Sequence, residues 1–98
     1  MTRYAKRRDA NEPTLVDAMR TLGLKVFYTN ELGDLIVQYA GLTELVEVKT
    51  ETGKLTTAQC KRKQAGLNAR IIRSISDVQL LRAEMTRAAA AIQRSRIG

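Results

Sequence analysis

Residues 43–50 read TELVEVKT, and the choice of fold turns on how that octet is taken. Threonine, leucine and two valines in close succession favour an extended chain, whose side chains alternate between two faces. Val46 and Val48 then share one face, while Leu45, Glu47 and Lys49 share the other. The valine face belongs against a core. The opposite face carries an acid and a base two residues apart, which a purely structural strand does not require.

Working outward, DLIVQY at 34–39 is a second extended run, joined to the first through the turn AGL. KVFYT at 25–29 is another, followed by the turn NELG. Such short connections favour an antiparallel meander, and Phe27, Tyr28 and Tyr39, alternating within these strands, are expected in the core. Further upstream, Asn11 offers an N-cap, Glu12 and Pro13 suit a first helical turn, and Leu15, Val16, Met19 and Leu22 recur at helical spacing until Gly23. That predicts a helix over about 12–22.

Downstream, the loop ETGK leads to Thr56 as the N-cap of a helix over about 57–68. RIIRS at 70–74 predicts a fourth strand, parallel to a member of the meander because a helix intervenes. Ser76 caps a last helix over about 76–95, with Asp77 near the positive end of its dipole. The order α-β-β-β-α-β-α predicts an α/β chain, more narrowly an α+β fold with a mixed sheet between helices. It forms one domain, 11–98, behind a flexible basic arm at 1–10.

The totals narrow the function. Ninety-eight residues make one domain, and 17 Lys and Arg against 10 Asp and Glu leave a net charge of +7. That balance favours a polyanionic partner, nucleic acid first. No segment approaches the roughly 18 continuous apolar residues of a membrane-spanning helix, so the expectation is a soluble cytoplasmic protein. Cys60 is the single cysteine and histidine is absent, which removes an intrachain disulfide, the usual general base and the usual zinc ligand. Chemistry in such a chain must use carboxylates, lysine or a hard metal.

Asp34 opens the strand beside the one carrying Glu47, and a short meander can bring the two carboxylates together. They would repel unless a cation lay between them. Mg²⁺ commonly takes one or two carboxylates and completes its octahedron with water and substrate phosphate. Lys49, on the same face as Glu47, could orient an attacking water or stabilise charge on a phosphate oxygen. The competing account is an ordinary ion pair on a half-exposed sheet face, worth about 0–1 kcal/mol. On the metal account, Glu47→Gln should abolish metal binding and leave folding nearly intact.

GDLIV followed by LVEVKTETGKLTTAQ resembles the PD-(D/E)XK nuclease motif, and more narrowly the VRR-NUC family. The similar residues are Glu47, Val48, Lys49, Gly53, Leu55, Thr56 and Gln59, then Ile72, Arg73 and Ser74 in RIIRSISDVQLL. With NEPTLVDAMRTLG, the resemblance covers roughly 9–82. It implies a restriction-endonuclease-like core in which Asp34, Glu47 and the backbone carbonyl of Val48 hold Mg²⁺ or Mn²⁺. Lys49 is then the catalytic base or electrostatic stabiliser, and Gln59 lies near the nucleophile. Glu12 is a further candidate ligand, although a glutamate in a first helical turn is also favourable to the helix dipole. The proline that usually precedes the aspartate is replaced by Gly33.

Arg3, Lys6, Arg7 and Arg8 of the arm, with Lys61, Arg62, Lys63, Arg70 and Arg73, are candidate phosphate contacts that supply affinity without reading bases. In the last helix Val78, Leu81, Met85, Ala88 and Ile92 form a stripe that suits either core packing or a helix-to-helix dimer. The resemblance implies a homodimer, since symmetric cleavage of a branched junction needs two sites, and a metal-dependent, structure-selective DNA endonuclease of Holliday junction resolvase type. No membrane and no small-molecule cofactor are expected. The alternatives are a silent nucleic-acid-binding module, a small RNA-binding protein and a structural phage protein or toxin partner.

Overall fold

The computed structural model describes residues 10–29, 35–50, 52–66 and 68–97, with the side chain of residue 97 left aside. Helix α1 spans Glu12–Thr21, strands β1, β2 and β3 span Lys25–Tyr28, Leu35–Tyr39 and Leu42–Val48, α2 spans Thr57–Gln64, β4 spans Arg70–Ile72 and α3 spans Ile75–Ile97. The four strands make one sheet in the order β1-β2-β3-β4. The first three pair antiparallel and β4 runs parallel to β3. This is an α+β fold with a mixed four-stranded sheet and three helices, as the order of elements predicts.

Register explains how the sheet divides its residues. Val26 pairs with Val37, Leu35 with Val46, and Val48 with Ile72, so these side chains share a face. All six are buried, together with Leu15, Val16 and Met19 of α1 and Val78, Leu81 and Met85 of α3. Each such side chain contributes about 1.5–3 kcal/mol on leaving water. Helices α1 and α3 pack on each other over this face. Glu47, between the two valines, faces the other way and meets Arg62 of α2, so the Glu47 face of β3 lies toward α2.

Local signals explain most boundaries. Helix α1 closes at Gly23, whose φ of 90° suits the left-handed region that a residue with a β-carbon avoids. The β2–β3 turn places Ala40 at φ 53° and Gly41 at φ 82°, the left-handed pair that tight two-residue hairpins require.

Several expectations need correction. The side chain of Asn11 does not cap α1; its amide reaches across to β3 and β4. Ser74, not Ser76, caps α3: its Oγ accepts from the Asp77 N–H at 3.2 Å, while Asp77 Oδ2 accepts from the Arg73 N–H at 2.8 Å. Helix α2 stops at Gln64 rather than 68, because Gly66 (φ 100°) follows. Phe27 and Tyr28 are about half exposed, at 50% and 47%. The short edge strand β1 turns Phe27 away from the α1–α3 core, and Tyr28 lies at its end with the Arg20 guanidinium 5.9 Å from its ring. The α3 stripe splits: Val78, Leu81 and Met85 are core, whereas Ala88 and Ile92 are exposed. Among the described residues, no helix is long and apolar enough to cross a membrane.

Candidate active site

Among the described residues, four polar side chains are buried: Glu12, Glu47, Lys49 and Gln59, at 3%, 4%, 8% and 6% exposure. Burying charge is costly unless partners compensate, so these residues mark where the fold accepts cost. Glu47 and Lys49 come from adjacent same-face positions of β3 and its extension. Although β3 ends at Val48, the Lys49 N–H still donates to the Ile72 carbonyl at 3.0 Å. The ladder therefore holds the lysine in line.

Asn11 fixes the other end of this arrangement. Its Nδ2 donates to the Lys49 carbonyl at 3.0 Å and toward the Arg73 carbonyl at 3.4 Å. One side-chain amide thus ties the start of α1 to the ends of β3 and β4, and brings Glu12, the next residue, to that same end of the sheet. The sequence offers Asn11 only as a helix cap. An asparagine before a helix gives no local sign that it binds carbonyls far along the chain.

Helix α2 supplies the lid. Thr56 and Gln59 form a reciprocal capping box, with the Gln59 N–H donating to Thr56 Oγ1 at 3.1 Å and the Thr56 N–H to Gln59 Oε1 at 2.8 Å. Gln59 therefore has a structural duty, and its NH₂ group is the part outside the box. Arg62, one turn on, donates from Nη2 to Glu47 Oε1 at 3.2 Å, with side-chain exposures of 20% and 5%. Arg62 is thus a cation partner of Glu47 that the sequence does not single out from Lys61 and Lys63. A cavity of about 30 Å³ between Glu47, Leu55, Gln59, Lys63, Ala69 and Ile71 has room for a water or a small ion.

The loop before α2 is held by Arg73, whose Nη1 donates to the carbonyls of Thr50 and Gly53 at 2.6 and 2.8 Å. A β-carbon on Gly53 would come within 2.9 Å of Thr50 Oγ1, which accounts for glycine there. Arg73 is thus a loop clamp in this structure. Arg70 lies on the opposite face of the sheet, bonded to Glu44 at 3.1 Å and to Glu84 at 2.5 Å. Partial burial draws the Arg70 pKa down, but the hydrogen bonds and charges of Glu44 and Glu84 outweigh it and hold the guanidinium above its ordinary value. Arg70 is therefore not brought to Glu47. Lys61 and Lys63 are exposed on α2, flanking the inward Arg62.

Asp34 lies outside the described residues, as do Arg3, Lys6, Arg7 and Arg8 of the expected arm. Among the described residues no group of three His, Cys, Asp or Glu could hold a metal. The donors at hand are Glu47 and the Val48 carbonyl, with Glu12 at the same end of the sheet. By donor type such oxygens are those a hard ion that keeps most of its water would take, and Arg62 holds Glu47 Oε1 in this structure. The larger hollow, about 430 Å³, is an open groove at the β2–β3 turn lined by Gly23, Lys25, Gln38, Tyr39, Ala40, Gly41, Leu42 and Thr43. It has no acid and one charged residue, so it lacks the means for acid, base or metal chemistry. Set against protein-family models, curated proteins and solved structures, the chain finds no match.

Proposed function

We propose that the chain is a divalent-metal-dependent DNA endonuclease of the PD-(D/E)XK type, akin to the VRR-NUC family. The observation that carries this reading is the burial of Glu47 and Lys49, two residues apart on β3 and its extension, at the sheet end where Asn11 also holds the start of α1. A fold gains no stability from an acid and a lysine hidden at such a place unless they serve something. Leu35 pairs with Val46, and Asp34 precedes Leu35 in the chain as Glu47 follows Val46.

In this reading Asp34, Glu47 and the Val48 carbonyl hold Mg²⁺ or Mn²⁺, which supplies Lewis acidity toward a phosphate oxygen. Lys49, its backbone locked by Ile72 and Asn11, orients the attacking water or balances charge on the phosphate. Gln59 NH₂ is available to the nucleophile, since only its Oε1 is engaged in the capping box. Exposed Lys61 and Lys63 meet flanking phosphates. Branched DNA of the Holliday junction kind, a homodimer carrying two sites and a bacterial cytoplasmic setting are the finer parts of the proposal.

A silent nucleic-acid-binding module is the second reading, favoured by the Arg62–Glu47 pair, which already neutralises the acid. Incubating a labelled four-way junction and a linear duplex with Mg²⁺, with Mn²⁺ and with chelator separates the two. Metal-dependent cutting, lost in Lys49→Ala with binding retained, is expected. Firm binding without cutting under either metal would favour the silent module.

A further inference from the structure

Helix α3 changes character after Met85. Up to that residue it carries core side chains; from Thr86 to Arg96 every residue is exposed except Ala89, which is half-buried. These eleven residues, roughly three turns, contribute no side chain to the core, so packing does not dictate their composition. The composition is TRAAAAIQRSR, with three arginines and no acid.

We infer that the C-terminal half of α3 is a further contact surface for duplex DNA, gripping its phosphates through Arg87, Arg94 and Arg96. Arg87 and Arg94 are seven residues apart, about two turns, and so share a side of the helix. Arg96 points roughly the opposite way, bordering a hollow with Ala40, Gly41, Leu42, Ala89, Ile92 and Gln93. Between them Ala88 to Ala91 keep the rod slim. A helix is about 10–12 Å across with its side chains, and the major groove is about 12 Å wide. Arg87 and Arg94 lie on the side away from the β2–β3 turn and can meet phosphates directly, while Arg96, on the side of that turn near the helix end, can reach a phosphate at the edge of the groove. Attraction to the helix dipole explains basic residues in a last turn, but Arg87 lies more than two turns from the end.

Two other occupants fit less well. In a second copy of this helix, arginine would face arginine with no acid to offset it. Ile92 is the one large apolar side chain exposed among these residues, far short of the roughly 800 Å² per partner of a stable interface. A membrane surface meets the same shortage of apolar area.

The inference rests on the nucleic-acid part of the proposed function and not on catalysis, so the test is run in chelator. Fluorescence anisotropy with a labelled linear duplex is followed over a range of KCl for the wild-type chain and for R87Q/R94Q/R96Q. The slope of log affinity against log salt should flatten by up to about 2.7, about 0.9 per lost phosphate contact, with affinity at least about tenfold weaker. R87K/R94K/R96K, which keeps the charges, should retain most of the slope, and circular dichroism checks the helix in both variants. A triple glutamine variant that matches the wild-type slope would overturn the inference. So would a lysine variant that loses as much slope as the glutamine one, or sedimentation showing a dimer that the glutamine variant disperses. Cutting that fails while the slope changes as expected would count against the nuclease reading and leave this surface standing.

Discussion

Two arginine–carboxylate groups lie on opposite faces of one sheet, and they differ in what surrounds them. Arg70 sits at the rim between Glu44 and Glu84, with all three side chains 28–38% exposed. Water screens such a cluster, and its pairs act as a surface staple between β3, β4 and α3. Arg62 and Glu47 are enclosed, and at that depth a carboxylate is costly to keep and costly to orphan. Charge pairing looks similar in both places, but only the enclosed pair shares its surroundings with a second buried cation, Lys49, and a buried amide, Gln59.

The largest expected effect separates the two groups by activity. Lys49→Ala should lower metal-dependent cleavage by about 10²–10³-fold, whereas Arg70→Met should leave it within about twofold; single-turnover assays on a labelled duplex measure both. Equal losses would erase the distinction. Next comes stability: Glu47→Gln should cost about 2 kcal/mol in urea melts, because Arg62 loses its charged acceptor. Glu44→Gln should cost less than about 1 kcal/mol. The first figure revises the expectation that Glu47 could be neutralised with folding almost untouched, since that expectation had no Arg62 in view.

Gln59 sharpens the enclosed side. Gln59→Ala should lose about 1 kcal/mol with the capping box, while Gln59→Glu keeps the box but sets a second carboxylate beside Glu47 in the same cavity and should melt below wild type. A loss of cleavage in Gln59→Ala at temperatures where the variant is still fully folded would assign the NH₂ group a part in the chemistry. The smallest effect lies away from both groups: Ala40→Asn should raise stability by a few tenths of a kcal/mol to about 1, because asparagine tolerates the left-handed turn better. As for pH, a raised Arg70 pKa means its stabilisation is complete below the ordinary guanidinium value and lost only as pH climbs through the higher folded one. Melts between neutral and mildly alkaline pH should therefore show no Arg70-dependent change.

How far the chain could be read before its structure depended on the range of the signals. Alternation in TELVEVKT, the short turns and the helical crossover are local, and they yield the mixed sheet and the two-faced β3. The Thr56–Gln59 spacing likewise announces a capped helix. What turns inward from α2 is not local: Lys61, Arg62 and Lys63 are equivalent by composition, and only docking of the helix over Glu47 selects Arg62. The exposure of Phe27 follows from β1 being an edge strand, which alternation within the strand cannot convey. Arg70 and Arg73 stand three residues apart in a basic run, yet β4 sends one to Glu44 and the other to the Thr50 and Gly53 carbonyls.

The Asn11 amide has a kinetic implication. Its two carbonyl acceptors lie 38 and 62 residues further along the chain, so neither bond can form until distant segments have already met. Closing loops of that size before any reward arrives makes this corner a late step in folding, and among the first to open when the molecule loosens. Whatever work the buried acid and lysine do should therefore vanish under mild denaturant ahead of the sheet itself.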